Sequence, residues 1–149
     1  MASEPVQVEL GERECRALLV GQQIGRLAIT ADLFPLIFVV NHGLDGDDVV
    51  IRTHPGTLLD NVRQTRVSFE VDEIDYTRRC GWSVLLRAIA ERVDRAEQPR
   101  VMQRMRDHPV EPWAPGEHGH WVRLTPLLIT GRRIVPGTLP PPFPDAADL

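Results

Sequence analysis

The segment Val49–Leu59 (VVIRTHPGTLL) combines residue types that can bind an anion. A β-branched run ends in Arg52 and Thr53, and a turn containing Gly56 then leads into a short helix predicted to begin at Thr57. Arginine offers a forked guanidinium, threonine offers a hydroxyl donor, and the first N–H groups of a helix are unpaired. Gly56 lets the backbone approach an anion closely. The segment therefore predicts a phosphate site, although a capped turn beside a solvated arginine explains the same spacing.

Two further segments carry aromatic side chains that could cover a ligand. Trp82 and Ser83 open a predicted strand, where the indole could lie against an aromatic ligand and the hydroxyl could donate to a phosphate or carbonyl. Trp113 lies in the rigid loop PWAPG, which is followed by His118 and His120. A core or interface role explains a single tryptophan equally well. The two histidines lack a third ligand at motif spacing, so we expect no metal site.

Short β-rich runs joined by tight turns make up most of the chain. Helical spacing predicts short helices over residues 9–20, from residue 57 onward and over residues 97–108. Predicted strands cover residues 24–30, 35–41, 48–53, 66–72, 81–93, 120–124 and 127–135. Sequential strands with tight connections favour an antiparallel meander or Greek-key barrel. No GxGxxG motif follows a strand, which disfavours a dinucleotide-binding Rossmann fold.

Composition excludes several classes of protein. The net charge is −4, so we expect no nucleic-acid binding. All 17 basic residues are arginine, so any cationic side chain that contacts a phosphate must be an arginine. No apolar run is long enough for a membrane helix and the N-terminus lacks a signal peptide, which predicts a cytoplasmic protein without membrane contact. Cys15 and Cys80 lack the spacing of a disulfide framework or zinc site. The length predicts one domain over residues 1–136, followed by a Pro-rich tail over residues 137–149.

Taken together, the motifs resemble those of a known family. The chain is similar from about residue 9 to residue 135 to the pyridoxamine 5′-phosphate oxidase-like, FMN-binding split-barrel proteins, especially a branch frequent in actinobacteria. The motifs that carry the resemblance are GRLA (25–28), PLIFVVN (35–41), IRTHPGTLL (51–59), VSFEVDEID (67–75), GWSVLLRAIAE (81–91), PWAPG (112–116), HWVRLTP (120–126) and ITGRRI (129–134). Their common order along the chain is more specific than any one of them.

The resemblance implies a mainly β protein with short helices, in which a six-stranded antiparallel split barrel forms a homodimer. It also implies two FMN molecules in the clefts between subunits. Val39, Val40 and Asn41 would meet the isoalloxazine ring, and Arg52, Thr53, Gly56 and Thr57 would hold the phosphate. Trp82 and Ser83 would reach the flavin from one of the two subunits. Weaker correspondences add Trp113 and Arg132 from the C-terminal part.

Leu58 departs from the family pattern. Relatives usually carry lysine at this position of the loop, where it pairs with the flavin phosphate. Loss of such a charge-assisted contact costs roughly 1.5–3 kcal/mol, about one to two decades in affinity. The resemblance still favours a flavin-dependent oxidoreductase with a nicotinamide donor or small substrate. A deazaflavin-dependent reductase, a non-catalytic flavin or haem carrier, and an apo structural dimer stay open as alternatives, while pyridoxamine 5′-phosphate oxidase activity itself is not expected.

Overall fold

Seven strands and three short helices make up the fold. The computed structural model describes residues 3–54 and 58–137. In chain order the elements are β1 (Val6–Leu10), α1 (Glu12–Val20), β2 (Ile24–Ala31), β3 (Phe34–Asp45), β4 (Asp48–Thr53), a 3₁₀ turn (Leu58–Asn61), β5 (Thr65–Asp75), β6 (Cys80–Val93), α2 (Gln98–Arg104) and β7 (His120–Val135).

All strand pairs are antiparallel, and the sheet closes on itself. The strand order is β1-β7-β4-β3-β2-β5-β6, and β6 pairs with β7 to complete a ring. The strand β7 is shared between two partners on one edge. Its residues 120–124 pair with β4, and its residues 131–135 pair with β1. Similarly, β3 pairs first with β2 and then, over residues 42–45, with β4. Strands that change partners along their length produce a split barrel.

The barrel is filled by alternating side chains of its strands. In β5, Val67, Phe69 and Val71 are buried, whereas the residues between them are half-buried and face outward. This is the period of two that a strand with one buried face requires. Phe69 is fully buried, and a Cβ placed on Gly25 would lie 2.3 Å from its ring. Only glycine therefore allows β2 to pass so close to the central aromatic side chain.

A buried carboxylate fixes α2 to the outside of the barrel. Asp45, at the end of β3, accepts two hydrogen bonds from Arg104 of α2, at 2.9 and 2.8 Å. Arg123 of β7 donates to the same carboxylate at 2.9 Å and to Asp48 at 2.8 Å. These bonds, led by that from Arg104, hold the pKa of Asp45 below its ordinary value. They also set where the chain leaves α2 and returns to β7.

The predicted mainly β, antiparallel split barrel is confirmed, as are the strands that begin near residues 24, 48, 66 and 81. The prediction for the N-terminus was wrong in part, because residues 6–10 form a strand and the helix begins only at Glu12. The strand β1 was not recognised, because it adds to an edge of β7, contains polar residues and buries little of its own surface.

Four other predicted elements also differ from the structure. The strand β3 runs through Gly43 and Leu44, which lie between the predicted strands 35–41 and 48–53, because pairing with β4 extends it to Asp45. Residues 120–135 form one strand instead of two. A register shift against β6 beside Pro126 lets the strand pairing continue past this proline. The helix predicted after residue 57 is a single 3₁₀ turn, Leu58–Asn61. The helix predicted over residues 97–108 has only seven residues, Gln98–Arg104.

Within residues 3–54 and 58–137, no helix has the length and apolarity needed to cross a membrane.

Candidate functional site

A cleft of about 190 Å³ lies where the middle of β3, the end of β4 and the segment before β7 meet. We call it the Arg52 cleft. Five of its lining residues were predicted to bind the cofactor, and the other six were not. The lining residues are Phe38, Val39, Val40, Asn41, Arg52, Thr53, His54, Leu59, Pro112, Ala114 and His118. The lining contains a guanidinium and two imidazoles but no carboxylate, so its charged group favours an anion.

Arg52 is held in place by the wall of the cleft. Its Nε donates to the backbone carbonyl of His118 at 3.1 Å, and its guanidinium carbon lies 5.3 Å from the ring centroid of Trp121. Among the described residues, its two terminal nitrogens make no hydrogen bond. A guanidinium fixed through Nε and stacked on an indole keeps its remaining donors for a ligand, and a phosphate is the anion that fits such a fork well.

A second unused donor belongs to Asn41, which lines the cleft. Its Oδ1 accepts a hydrogen bond from the backbone N–H of Trp113 at 2.9 Å, which fixes the orientation of the amide. Its Nδ2 is buried and has no hydrogen-bond partner among the described residues. A buried donor without an acceptor is costly, about 1–3 kcal/mol. A ligand with a carbonyl oxygen or ring nitrogen would remove that cost, and the isoalloxazine ring carries both.

The imidazoles of His54 and His118 form the wall beside Arg52. Their ring centroids lie 4.1 Å apart at an interplanar angle of 45°. Gly116 lies over this pair with a φ of +105°, and a Cβ there would be 2.8 Å from the His54 ring. Sequence spacing identified neither histidine as part of this site. Position 116 requires a positive φ and a close approach to the His54 ring, and glycine meets both requirements. This glycine is therefore the sequence signal of a tightly folded loop.

Several predicted residues occupy other places around the cleft. Val39 lies at the rim with 70% of its surface exposed, and Trp113 is 67% exposed, beside Asn41. The Thr53 hydroxyl is buried and donates to the His54 carbonyl at 3.5 Å. Gly56 and Thr57 lie outside the described residues. Leu58 begins the 3₁₀ turn, and nothing is described of its side chain.

Trp82, Ser83 and Arg132 do not line the Arg52 cleft. Two adjoining depressions of about 700 and 460 Å³ lie on the outer face of β1, β6 and β7, and share Gln7, Ser83 and Arg132. Trp82 lines the smaller one. We call the two together the Ser83 groove. Within one chain, the predicted cofactor residues therefore divide between two surfaces.

An acidic pair borders the Ser83 groove. Glu70 and Asp72 of β5 lie 3.4 and 3.2 Å from Arg26. Burial raises the pKa of Glu70 to about 7; Asp72 adds to the shift and Arg26 opposes it. The groove is therefore edged by a carboxyl group that changes its charge near neutral pH.

Comparison with known proteins gives a consistent result. The family model for pyridoxamine 5′-phosphate oxidase matches residues 11–133. The Mycobacterium tuberculosis protein Rv0080 is 33% identical over 134 residues, which cover 86% of each chain. The structure of an FAD binding protein from Mycobacterium smegmatis is 32% identical with a TM-score of 0.64, and the match covers 86% of this chain and 98% of that one. A Corynebacterium diphtheriae protein of unknown function, DIP1874, is 27% identical with a TM-score of 0.68, covering 87% and 98%.

Proposed function

Because this chain belongs to the pyridoxamine 5′-phosphate oxidase family, we propose that it is a flavoprotein that binds a flavin nucleotide in the Arg52 cleft. The observation that carries the proposal is the pair of unused donors there, the terminal nitrogens of Arg52 and the Nδ2 of Asn41. They suit the two polar ends of a flavin nucleotide, its phosphate and its heterocycle. The FAD bound by the Mycobacterium smegmatis relative supports the same class of ligand.

The residues around these donors suit the rest of the ligand. Phe38, Val39 and Val40 supply apolar surface for the ring system, and Thr53 and His54 lie beside the guanidinium. When bound, a flavin supplies hydride and electron transfer, and the protein supplies placement and electrostatics. The chain then acts as an oxidoreductase on a small substrate, with a nicotinamide as one class of donor. Reduction of the bound flavin by NADH or NADPH in a stopped-flow experiment distinguishes an enzyme from a carrier.

Titration of the purified protein with riboflavin, FMN and FAD tests the proposed ligand. The three share the isoalloxazine ring and differ in phosphate content, so binding through Arg52 predicts saturable binding of FMN and FAD that is at least 10-fold tighter than that of riboflavin. Equilibrium dialysis with flavin fluorescence measures all three. Equal affinity for riboflavin and FMN would mean that Arg52 does not bind the phosphate. A folded protein that binds none of the three would favour an apo structural dimer.

We also propose that the outer face of the barrel forms a homodimer interface. Residues opposite each other in antiparallel strands share a face. By this criterion one row crosses β3, β2, β5, β6 and β7, and its members are Ile37, Ala28, Ser68, Arg87 and Leu128. Ile37 is 70% exposed, and Leu128 is 48% exposed. Large exposed apolar residues on one face mark an interaction surface. Such a dimer would bring the Ser83 groove of one subunit toward its partner.

Substituting Ile37 by glutamate is expected to convert the dimer to monomer. A carboxylate buried without a partner costs several kcal/mol, and in a twofold interface the same charge enters twice. Sedimentation equilibrium at micromolar concentration measures the change. Met102→Glu, at an exposed apolar position on α2 and outside this sheet face, is the matched control and should leave the dimer intact. A wild-type protein that sediments as a monomer at all concentrations rules out the interface.

A further inference from the structure

His42 lies in a second cavity, on the other side of β3 from the Arg52 cleft. Successive side chains of a strand point to opposite faces, so Asn41 faces the cleft while His42 faces the interior. The cavity, of about 150 Å³, separates the end of α1 from residues 107–111. His42 is only 3% exposed, and its ring makes an edge contact with Phe69 at a centroid distance of 5.1 Å.

The imidazole of His42 is uncharged at neutral pH. Neither ring nitrogen has a hydrogen-bond partner of good geometry among the described residues. Burial lowers the pKa of His42 to about 4, and the backbone of Leu19 counters this only in part. The titratable groups that line the cavity are Asp107, His108 and Glu111, all exposed at its outer side. From β5, Glu73 reaches the cavity edge by accepting a hydrogen bond from Gln22.

The segment on the far side of the cavity is joined to β3 at three points. The Leu44 N–H donates to the His108 carbonyl at 3.0 Å, and the Trp113 N–H donates to Asn41 Oδ1 at 2.9 Å. Between them, a Cβ on Gly43 would lie 2.6 Å from the His108 carbonyl oxygen and the Val110 nitrogen. The same segment continues into the wall of the Arg52 cleft at residues 112 and 114. The placement of residues 107–114 therefore links the cavity to the cleft.

We propose that His42 is a positioning residue: while its neutral ring stays buried against Phe69, residues 107–113 stay joined to β3, and when the ring takes up a proton it moves and the segment is released. An imidazolium cannot remain against Phe69 without a partner, because a buried unpaired charge is too costly. The lining of the cavity offers compensation on its outer side, from water and from the carboxylates of Asp107 and Glu111. Movement of the ring in that direction separates the segment from β3 and opens one wall of the Arg52 cleft.

The size of the effect follows from proton linkage. The opened form has a histidine of ordinary pKa, about 6.5, whereas the closed form has one of about 4. The opened form thus binds more protons between these values, so the closed form is fully favoured above pH 6.5 and loses its advantage as the pH falls toward 4. Between pH 8 and pH 5 the opening equilibrium constant should rise about 30-fold.

Hydrogen exchange of the Leu44 and Trp113 amides tests this inference without any ligand. After correction for intrinsic exchange rates, we expect the opening constant of both amides to rise about 30-fold from pH 8 to pH 5 in the wild-type protein. His42→Gln removes the titrating group and should abolish the rise, while His108→Gln, in the same cavity, should retain it. An unchanged opening constant in the wild type, or an equal rise in His42→Gln, overturns the inference.

Two further measurements keep the test decisive. If His42→Gln fails to fold, NMR titration of the His42 ring in the wild type replaces it, and a ring that titrates near 6.5 with no change in amide exchange contradicts the inference. The effect on the Arg52 cleft rests on the proposed function and is measured separately, as the ratio of FMN dissociation constants of wild type and His42→Gln at each pH. If amide hydrogen exchange shows the expected pH dependence but the protein binds no flavin, the proposed function is refuted and the proposed role of His42 is supported.

Discussion

Replacing Arg52 by alanine is expected to weaken FMN binding by about 10–100-fold. A hydrogen-bonded contact to a charged group contributes roughly 1.5–3 kcal/mol, and each 1.4 kcal/mol corresponds to about tenfold in the dissociation constant. Riboflavin, which lacks the phosphate, should lose little affinity. The loss of FMN preference over riboflavin, measured by fluorescence titration, is therefore the specific signature of Arg52 acting on the phosphate.

Two comparisons sharpen the test of Arg52. Arg52→Lys retains the charge but loses the fork and the Nε bond to the His118 carbonyl, so it should have intermediate affinity. Arg100→Ala, on the exposed face of α2, changes the net charge equally and should leave binding unchanged. If Arg52→Ala weakens riboflavin and FMN to the same extent, the residue supports the cleft and does not bind the phosphate.

Introducing a cation at position 58 should have the opposite effect. The family resemblance places lysine where this chain has Leu58, so Leu58→Lys is expected to tighten FMN binding by about one decade through a new charge-assisted contact. Leu58→Met, which has a similar length without the charge, is the matched control. An unchanged dissociation constant for Leu58→Lys would mean that residue 58 lies away from the phosphate.

Replacing Asp45 by alanine is expected to lower the free energy of unfolding by about 1.5–3 kcal/mol, because it removes hydrogen bonds to a buried carboxylate, although Arg123 keeps its bond to Asp48. Asp45 is 7% exposed and joins β3, α2 and β7. Urea denaturation followed by circular dichroism measures the loss. Asp47→Ala, whose side chain is 83% exposed in an ion pair with Arg16, should change stability by less than about 0.5 kcal/mol.

The pH dependence of Asp45 has a defined sign. Since its pKa is lower in the folded protein than in the unfolded chain, its contribution is present above the unfolded value of 3.8 and is lost as the pH falls through the folded value. The difference in stability between wild type and Asp45→Ala should therefore shrink at strongly acidic pH. A constant difference from pH 7 down to pH 2 would show that the ion pairs contribute little and that packing explains the loss.

The sequence predicted the barrel well where strands bury one face. Alternation in β5 and the β-branched run of β4 are local signals of inward and outward side chains, so their boundaries could be read from the residues themselves. It failed for β1, whose five residues contribute little to the core. It also failed at Gly43, where pairing with β4 continues the strand and the distant segment at residues 108–110 leaves no room for a side chain. Local propensity contains no information about such tertiary contacts.

The site shows the same division between local and tertiary information. Arg52 could be proposed as a site residue from the sequence, because arginine and threonine at the end of a strand form a local pattern that suits an anion. The unused amide of Asn41 and the neighbouring rings of His54 and His118 depend on residues that are 64–72 positions apart in sequence. Because these contacts arise only when the segment after α2 folds over β3, sequence spacing could not reveal them.

The central claim is that a flavin occupies the Arg52 cleft, and the side-chain amide of Asn41 reports on it most directly. In a ¹H–¹⁵N spectrum, the two Nδ2 protons of Asn41 should shift in a saturable manner as FMN is added, because the ligand supplies the acceptor that this buried group lacks. The Arg52 Nε–H signal should shift with the same dissociation constant. Saturable FMN binding that leaves both signals in place, and shifts Ser83 and Arg132 of the Ser83 groove instead, would contradict the claim.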